Sequence, residues 1–313
     1  MKTQLDVVTY GEAMAMFVAT EVGELHDVNA FVKRAAGAEL NVATGLARLG
    51  LNVGWMSRIG NDSFGRFIKK MLEREGINAD CVITDELHPT GFMLKSKVED
   101  GSDPKTEYFR KGSAASHLSV TDVDNHYFAN TRHLHLSGVA AALSTTSYEL
   151  SSFLADLMRQ SGKTISFDPN LRPSLWKNQQ EMAQKLNQLA FKADWVLPGI
   201  NEGKILTGLC APEAIADFYL NQGVKLVVIK NGGEGAYYKT ADNQRGTVPA
   251  FRVENVVDTV GAGDGFAVGV ISAMLEGKTI EQALRRGNRI GSLAIQVIGD
   301  SEGLPNRQQL GDF

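Results

Sequence analysis

Apolar positions along the chain fall into two alternating rhythms. Short runs rich in β-branched and aromatic residues at Leu5–Tyr10, Asn52–Ser57, His133–Ser137, Thr164–Asp168, Trp195–Pro198 and Lys225–Lys230 predict strands. Between them, apolar residues recur at helical spacing over Glu39–Leu49, Phe64–Glu75, Tyr148–Gln160, Glu181–Phe191 and Pro212–Asn221. Gly50 and Gly76 follow two of these segments, where a left-handed residue ends a helix. The last stretch reads as helical over Asp264–Leu275 and Ile280–Val297. Strands alternating with longer helices predict an α/β fold with a largely parallel sheet.

Two segments break this rhythm. Ala13–Arg34 and Thr90–Phe109 read as extended, with alternation in GFMLKSKVE and KTEYFR, and neither has a helix placed to cover it. They predict a small separate sheet projecting from the core as a lid over a site. No linker rich in Pro, Gly or Ser, no repeat and no low-complexity tract divides the chain. One domain over residues 1–313, with lid segments at about 13–34 and 90–112, fits this organisation.

Composition narrows the partners. The chain is 43% apolar and 22% charged, which suits a folded soluble protein and excludes disorder. Its 32 basic and 36 acidic residues give a net charge of −4 with no run of one sign. Neither nucleic acid nor an anionic membrane is implied, so any anion site must be built locally. Cys81 and Cys210 lie far apart, with no CxxC and no His at ligand spacing, and read as two buried thiols in a reducing compartment. MKTQLDVVTYGEA enters a strand-like run without the apolar segment of a signal peptide, and no uncharged apolar stretch approaches ~20 residues. The expectation is a cytoplasmic protein.

The most informative string is DTVGAGDGF at Asp258–Phe266, followed by the apolar run AVGVISAML. Gly261, Ala262 and Gly263 are small, so their main-chain N–H groups can converge on an anion at a helix N-terminus. Asp264 then stands in the first helical turn, suited to accept a proton from a hydroxyl attacking a phosphate. An isolated GxGD is as readily a helix cap. The other phosphate loops are missing: GKT at Gly162–Thr164 has Leu157 where a Walker motif needs glycine, and it precedes a strand instead of following one. His133 and His135 share a strand face, but no third ligand is evident and a packed strand is the plainer reading.

DTVGAGDGF resembles the C-terminal signature of the ribokinase-like (phosphofructokinase B type) carbohydrate kinases, and AAGAELNVATGLARLG at residues 35–50 resembles their N-terminal signature. The two stand in the family order, and the resemblance runs along essentially the whole chain. It implies a three-layer α/β sandwich with a largely parallel central sheet and a small β-sheet lid. It also implies ATP as phosphoryl donor, Mg²⁺ on the phosphates, Asp264 as base, and Gly261, Ala262 and Gly263 as an anion hole.

On the nucleotide side, KNGGEG at Lys230–Gly235 is by itself a strand-to-strand turn. The resemblance makes Lys230, Gly232 and Gly235 ATP contacts beside Gly261 and Gly263, with Asn288 on the adenine side. The family's Asn-x-x-Glu element, which organises the metal through water, reads LPGINE here: Glu202 matches the Glu, and Gly199 replaces the Asn. A monovalent cation near Asp258 is a further implication of the resemblance, without support from spacing.

On the acceptor side, YFRKGSAAS and DPNLRPSLW resemble the 2-keto-3-deoxygluconate kinases within that family more than ribokinases or fructokinases. The implied acceptor contacts are Gly37 and Asn41 of the N-terminal motif, Tyr108 and Arg110 on the lid, Arg172 after a core strand, and Asp300 and Asp264 near the chain end. Arg172, with Asn170, also faces the nucleotide phosphates in this reading. A planar guanidinium fork suits a carboxylate, although either arginine alone could make an ordinary ion pair. Met93 stands where that subfamily commonly has a second lid aromatic. The expected reaction is ATP-dependent phosphorylation of the C6 hydroxyl of 2-keto-3-deoxygluconate. A kinase of fructose, ribose or a related ketose, and a non-catalytic sugar or nucleotide binder, remain open alternatives. So do gluco against galacto acceptors and a homo-oligomer formed through the lid.

Overall fold

The computed structural model describes residues 4–99 and 104–313, and residues 100–103 of the expected lid lie outside them. Among the described residues, thirteen strands form two sheets. The large sheet has the order β13-β12-β11-β10-β9-β8-β1-β4-β5. Its strands are β1 (Leu5–Tyr10), β4 (Val53–Gly60), β5 (Val82–Asp85), β8 (Thr131–Ser137), β9 (Thr164–Asp168), β10 (Trp195–Val196), β11 (Leu226–Lys230), β12 (Ala236–Thr240) and β13 (Arg245–Val248). All neighbours from β11 to β5 pair parallel, and β12 and β13 add antiparallel.

Eleven α-helices occur among the described residues: α1 (Ala38–Arg48), α2 (Ser63–Arg74), α3 (Asn125–Ala129), α4 (Gly138–Ala142), α5 (Thr145–Gln160), α6 (Gln179–Ala190), α7 (Ile200–Thr207), α8 (Pro212–Leu220), α9 (Ala262–Leu275), α10 (Ile280–Ala294) and α11 (Arg307–Leu310). Successive strand residues face opposite sides, so each buried strand feeds two cores. Val8, Leu134, Leu136, Phe167, Val227 and Ile229 pack with Leu150, Leu154 and Met158 of α5 and with α6 and α8. Val7, Val53, Trp55, Leu226 and Val228 pack on the other face with Leu40 and Leu46 of α1, Ile68 and Leu72 of α2, and α9 and α10. The result is helix, sheet, helix: the three-layer arrangement expected.

The lid is a second sheet, ordered β3-β2-β6-β7, with β2 at Met14–Val22, β3 at Phe31–Ala36, β6 at Phe92–Lys97 and β7 at Thr106–Phe109. The β2–β3 hairpin leaves the chain between β1 and α1, whereas β6–β7 follows β5; the two excursions join by parallel pairing of Ala15–Val18 with Phe92–Lys95. A helix does touch this sheet, contrary to expectation: Phe64 of α2 packs its ring at 5.5 Å from Phe17 and 5.7 Å from Phe92.

Other differences are local. The strand expected over Trp195–Pro198 shortens to two residues, the Asp264–Leu275 helix begins at Ala262, and the final long helix stops at Ala294. Strands β5, β12 and β13 and the short helices α3, α4, α7 and α11 had no counterpart in the pattern. Cys81 is buried, but Cys210 is exposed, because it follows the left-handed Gly208 that ends α7. His133 and His135 are strand packing, as expected: both rings bond Ser166, and His133 stacks on Trp195 at 4.7 Å. Among the described residues, no helix is long and apolar enough to cross a membrane.

Candidate active site

The lid stands over the carboxyl ends of β1 and β9, next to the point where the strand order turns back between β1 and β8. Crevices form at such points because the connections leave in opposite directions. A cavity of about 440 Å³ opens there, lined by residues from the lid, from α1, from the loops after β9 and β11, and from the start of α9.

Two helices aim their N-termini into it. Gly37 caps α1 at φ 146, and a Cβ there would lie 2.3 Å from the Glu12 carbonyl oxygen, so only glycine fits. Gly261 caps α9 at φ 82, backed by the Asp300 carbonyl, which a Cβ would meet at 2.3 Å. Gly261 brings no capping side chain, and the amides of Ala262, Gly263 and Asp264 have no acceptor within the helix. They are left for an anion.

Asp264 is buried, and both its oxygens are held by amides. Asn41 Nδ2 donates to Oδ2 at 2.8 Å, and Asn170 Nδ2 donates to Oδ1 at 3.3 Å. Asn170 sits at φ 38, in the loop that Asp168 braces by accepting the Asn170 amide. Burial raises the Asp264 carboxyl to about 7, aided by the charges of Asp168 and Asp300 and opposed by the Asn41 bond and Arg172. A carboxylate poised near neutrality can take a proton at working pH.

Lys230 leaves the end of β11 and pairs with Asp168 at 2.7 Å. Its Nζ stands 3.6 Å from where a Gly263 Cβ would be, beside the bare amides. Each Glu202 oxygen takes a main-chain amide, Gly199 at 2.6 Å and Leu171 at 2.9 Å, so Glu202 anchors the loop that carries Arg172. Gly199 is the N-cap of α7, and a Cβ there would press within 3.2 Å of Glu202. Arg172 faces the cavity, bonded to the Leu171 carbonyl at 2.9 Å.

On the lid side, Tyr108 is half exposed, with the Arg110 guanidinium 5.8 Å from its ring centre. Arg110 Nε donates at 2.6 Å to Glu12, whose other oxygen accepts from Ser113. Met93 and Lys95 of β6 also line the cavity, as does Asp300.

The structure therefore gathers Gly37, Asn41, Tyr108, Arg110, Asn170, Arg172, Glu202, Lys230, Gly261, Gly263, Asp264 and Asp300 around one space. It does not bring Gly232, Gly235 or Asn288 to that lining. The two glycines shape the tight β11–β12 turn, and Asn288 is buried with its amide on the Val248 and Pro249 carbonyls. Ala262 belongs to the turn through its main chain alone. Glu12 and Lys95 were missed. Lys95 was findable, because it shares the inward phase of Met93 on an alternating strand. Glu12 gives no such signal. Among the described residues, no group of three or more His, Cys, Asp or Glu is placed to hold a metal ion.

Residues 4–307 match the model of the pfkB family of carbohydrate kinases. The chain is 52% identical over 311 residues to the 2-dehydro-3-deoxygluconokinase of Bacillus subtilis (strain 168), covering 99% of this chain and 95% of that protein. The PfkB protein of Polaromonas sp. JS666 superposes with a TM-score of 0.91 at 50% identity, covering 98% and 99% of the two chains. A putative ribokinase II from E. coli, solved with ATP and Mg²⁺, gives 0.89 at 27% identity, covering 98% and 97%.

Proposed function

This chain belongs to the pfkB family of carbohydrate kinases, and from that premise we propose that it transfers the γ-phosphoryl group of ATP to the C6 hydroxyl of 2-keto-3-deoxygluconate. The product is 6-phospho-2-keto-3-deoxygluconate, placing the enzyme in sugar-acid breakdown in the cytoplasm. We read residues 1–313 as one kinase domain with its lid formed by the two excursions.

The observation that carries this reading is one cavity lined by the bare main-chain amides of the α9 turn, the Asp264 carboxylate, and the guanidinium groups of Arg110 from the lid and Arg172 from the loop after β9. The amides fit a transferring phosphoryl group. Arg110 and Arg172 fit the carboxylate that distinguishes this acceptor from a neutral sugar, and the 52% identity with a 2-dehydro-3-deoxygluconokinase supports the same acid.

In the mechanism, Tyr108, Arg110, Arg172 and Gly37 hold the sugar acid so that its C6 hydroxyl faces Asp264. Asp264 accepts the hydroxyl proton as the oxygen attacks the γ-phosphorus in line, the bond from that phosphorus to the β,γ-bridging oxygen breaks, and ADP leaves. Asn41 and Asn170 keep the carboxylate aimed, and Asp300 bonds a sugar hydroxyl. Amides of 261–263 and the Lys230 ammonium meet the charge gathering on the phosphoryl oxygens. Lys230 and the glycine turn after it face the nucleotide, with Asn288 supporting its far side through the Val248–Pro249 backbone. Mg²⁺ would supply charge neutralisation on the phosphates; with no metal-holding group of three or more His, Cys, Asp or Glu among the described residues, phosphate oxygens and water would hold it, and Glu202 would act on that shell from the Leu171 loop. The closed lid keeps water from taking the phosphoryl group.

A coupled ATP-consumption assay over keto-acids, aldonates and neutral sugars tests the reading. Preferred turnover of 2-keto-3-deoxygluconate is expected. Equal turnover of fructose or ribose would remove the role given to the arginines, and no ATP-dependent turnover at all would leave only a binding protein.

A further inference from the structure

Lys95 is a buried lysine that the mechanism above does not use. It lies on the lid strand β6, 1% exposed, and a lysine is hidden to that degree only when its charge is met. Its Nζ stands 2.6 Å from Asp258 Oδ2 and 3.4 Å from Asp300 Oδ1. Asp258 in turn accepts the amides of Val260, at 3.1 Å, and Gly299, at 3.2 Å. Asp300 contributes the carbonyl against which Gly261 is seated. One ammonium thus ties a lid strand to both segments that frame the anion turn. A second link runs alongside: Arg34 of β3 pairs at 3.1 Å with Glu302, which accepts the amides of Asp300 and Ser301.

We propose that Lys95 is a positioning residue for phosphoryl transfer, a cation built into the lid whose contact with Asp258 and Asp300 sets the anion turn in register with the bound acceptor. The inference rests on the kinase reading. The turn has no side chain of its own at Gly261 or Gly263 to fix it, so its placement comes from what packs behind it. Behind it stand two buried carboxylates, which would repel each other without a cation between them. Because that cation arrives on β6, the placement of the turn depends on the lid strand. The same arrangement makes a soluble monovalent cation beside Asp258 unnecessary.

The test compares Lys95→Ala and Lys95→Gln with the wild type, using whichever acceptor the wild type phosphorylates. The expected result is a kcat lower by ~100-fold in both, the scale of a displaced reacting group, with KM for the acceptor within about threefold. In Lys95→Ala, ammonium or methylammonium fills the vacated space and restores kcat saturably by about tenfold, leaving wild type and Lys95→Gln unchanged. A kcat within about threefold of wild type in both variants overturns the proposal. So does a loss in folded Lys95→Ala that neither amine moves, since that is the behaviour of a purely structural ion pair. If Lys95→Ala does not fold by circular dichroism, Lys95→Gln carries the test through its kcat and KM. A wild type that turns over none of the acceptors sinks the kinase reading instead. Lys95 is then judged by calorimetry: the variants should lose the wild-type preference for ATP over ADP, and an unchanged ratio overturns its role.

Discussion

The Asn41 side-chain amide donates to the Asp264 carboxylate at 2.8 Å, joining the first turn of α1 to the first turn of α9 across the cavity. This bond favours the charged carboxylate, against the burial that raises Asp264 to about 7. A proton acceptor must be ionised, so kcat/KM should climb with pH through about 7 and then level. Removing the donor with Asn41→Ala leaves burial less opposed, which moves the rising limb to higher pH. A pH–rate profile checks this, and a limb that stays put or moves to lower pH contradicts it.

Asp264→Ala should lower kcat by at least ~100-fold while the protein still binds ATP, because the change removes the proton acceptor and leaves the main-chain amides in place. Steady-state kinetics beside nucleotide titration separates the two effects. Unchanged turnover would end the proposed mechanism.

The parallel core and the turn that carries Asp264 were legible in the chain because both are local. The alternation of short apolar strands with helical spacing predicts the α/β fold with its largely parallel sheet, and the glycine string with its aspartate sits within nine consecutive residues. What the pattern missed is non-local or short. Glu12 meets Arg110 across 98 positions and Lys95 meets Asp258 across 163, and no spacing rule connects such pairs. Strand β10 shrinks to two residues because the chain turns into α7 at Pro198–Gly199, so its apolar run overstates its length. Asn288, expected beside the nucleotide or on the surface, is buried with its amide on the backbone next to β13, a strand that the sequence pattern did not contain.

Arg110→Lys keeps a charge for the buried Glu12 carboxylate but loses the planar fork. The expected outcome is a loss of ~10- to 100-fold in kcat/KM for the keto-acid, the worth of a charged hydrogen bond, with little change for neutral sugars. Thermal stability should stay near wild type. Parallel losses on acid and neutral acceptors would show that the residue does not read the carboxylate.

Gly261→Ala should abolish turnover without unfolding the protein. Its φ of 82 costs an L-residue ~1–2 kcal/mol, and the new Cβ would strike the Asp300 carbonyl. The turn must move, and transfer should fall by ~100-fold or more. Activity within an order of magnitude of wild type would mean that this turn does not set the rate.

The lid is sewn from two separate excursions of the chain, with Ala15 paired to Phe92. Neither half can find the other until β1, β4 and β5 have brought their ends together, because the intervening loop is expensive to close beforehand. Recovery from denaturant should accordingly proceed in two stages. Fluorescence of Trp55 and Trp195, both buried at the large sheet, returns first. Competence to bind sugar returns later, so a newly made chain is a nearly finished scaffold before it can hold its acceptor.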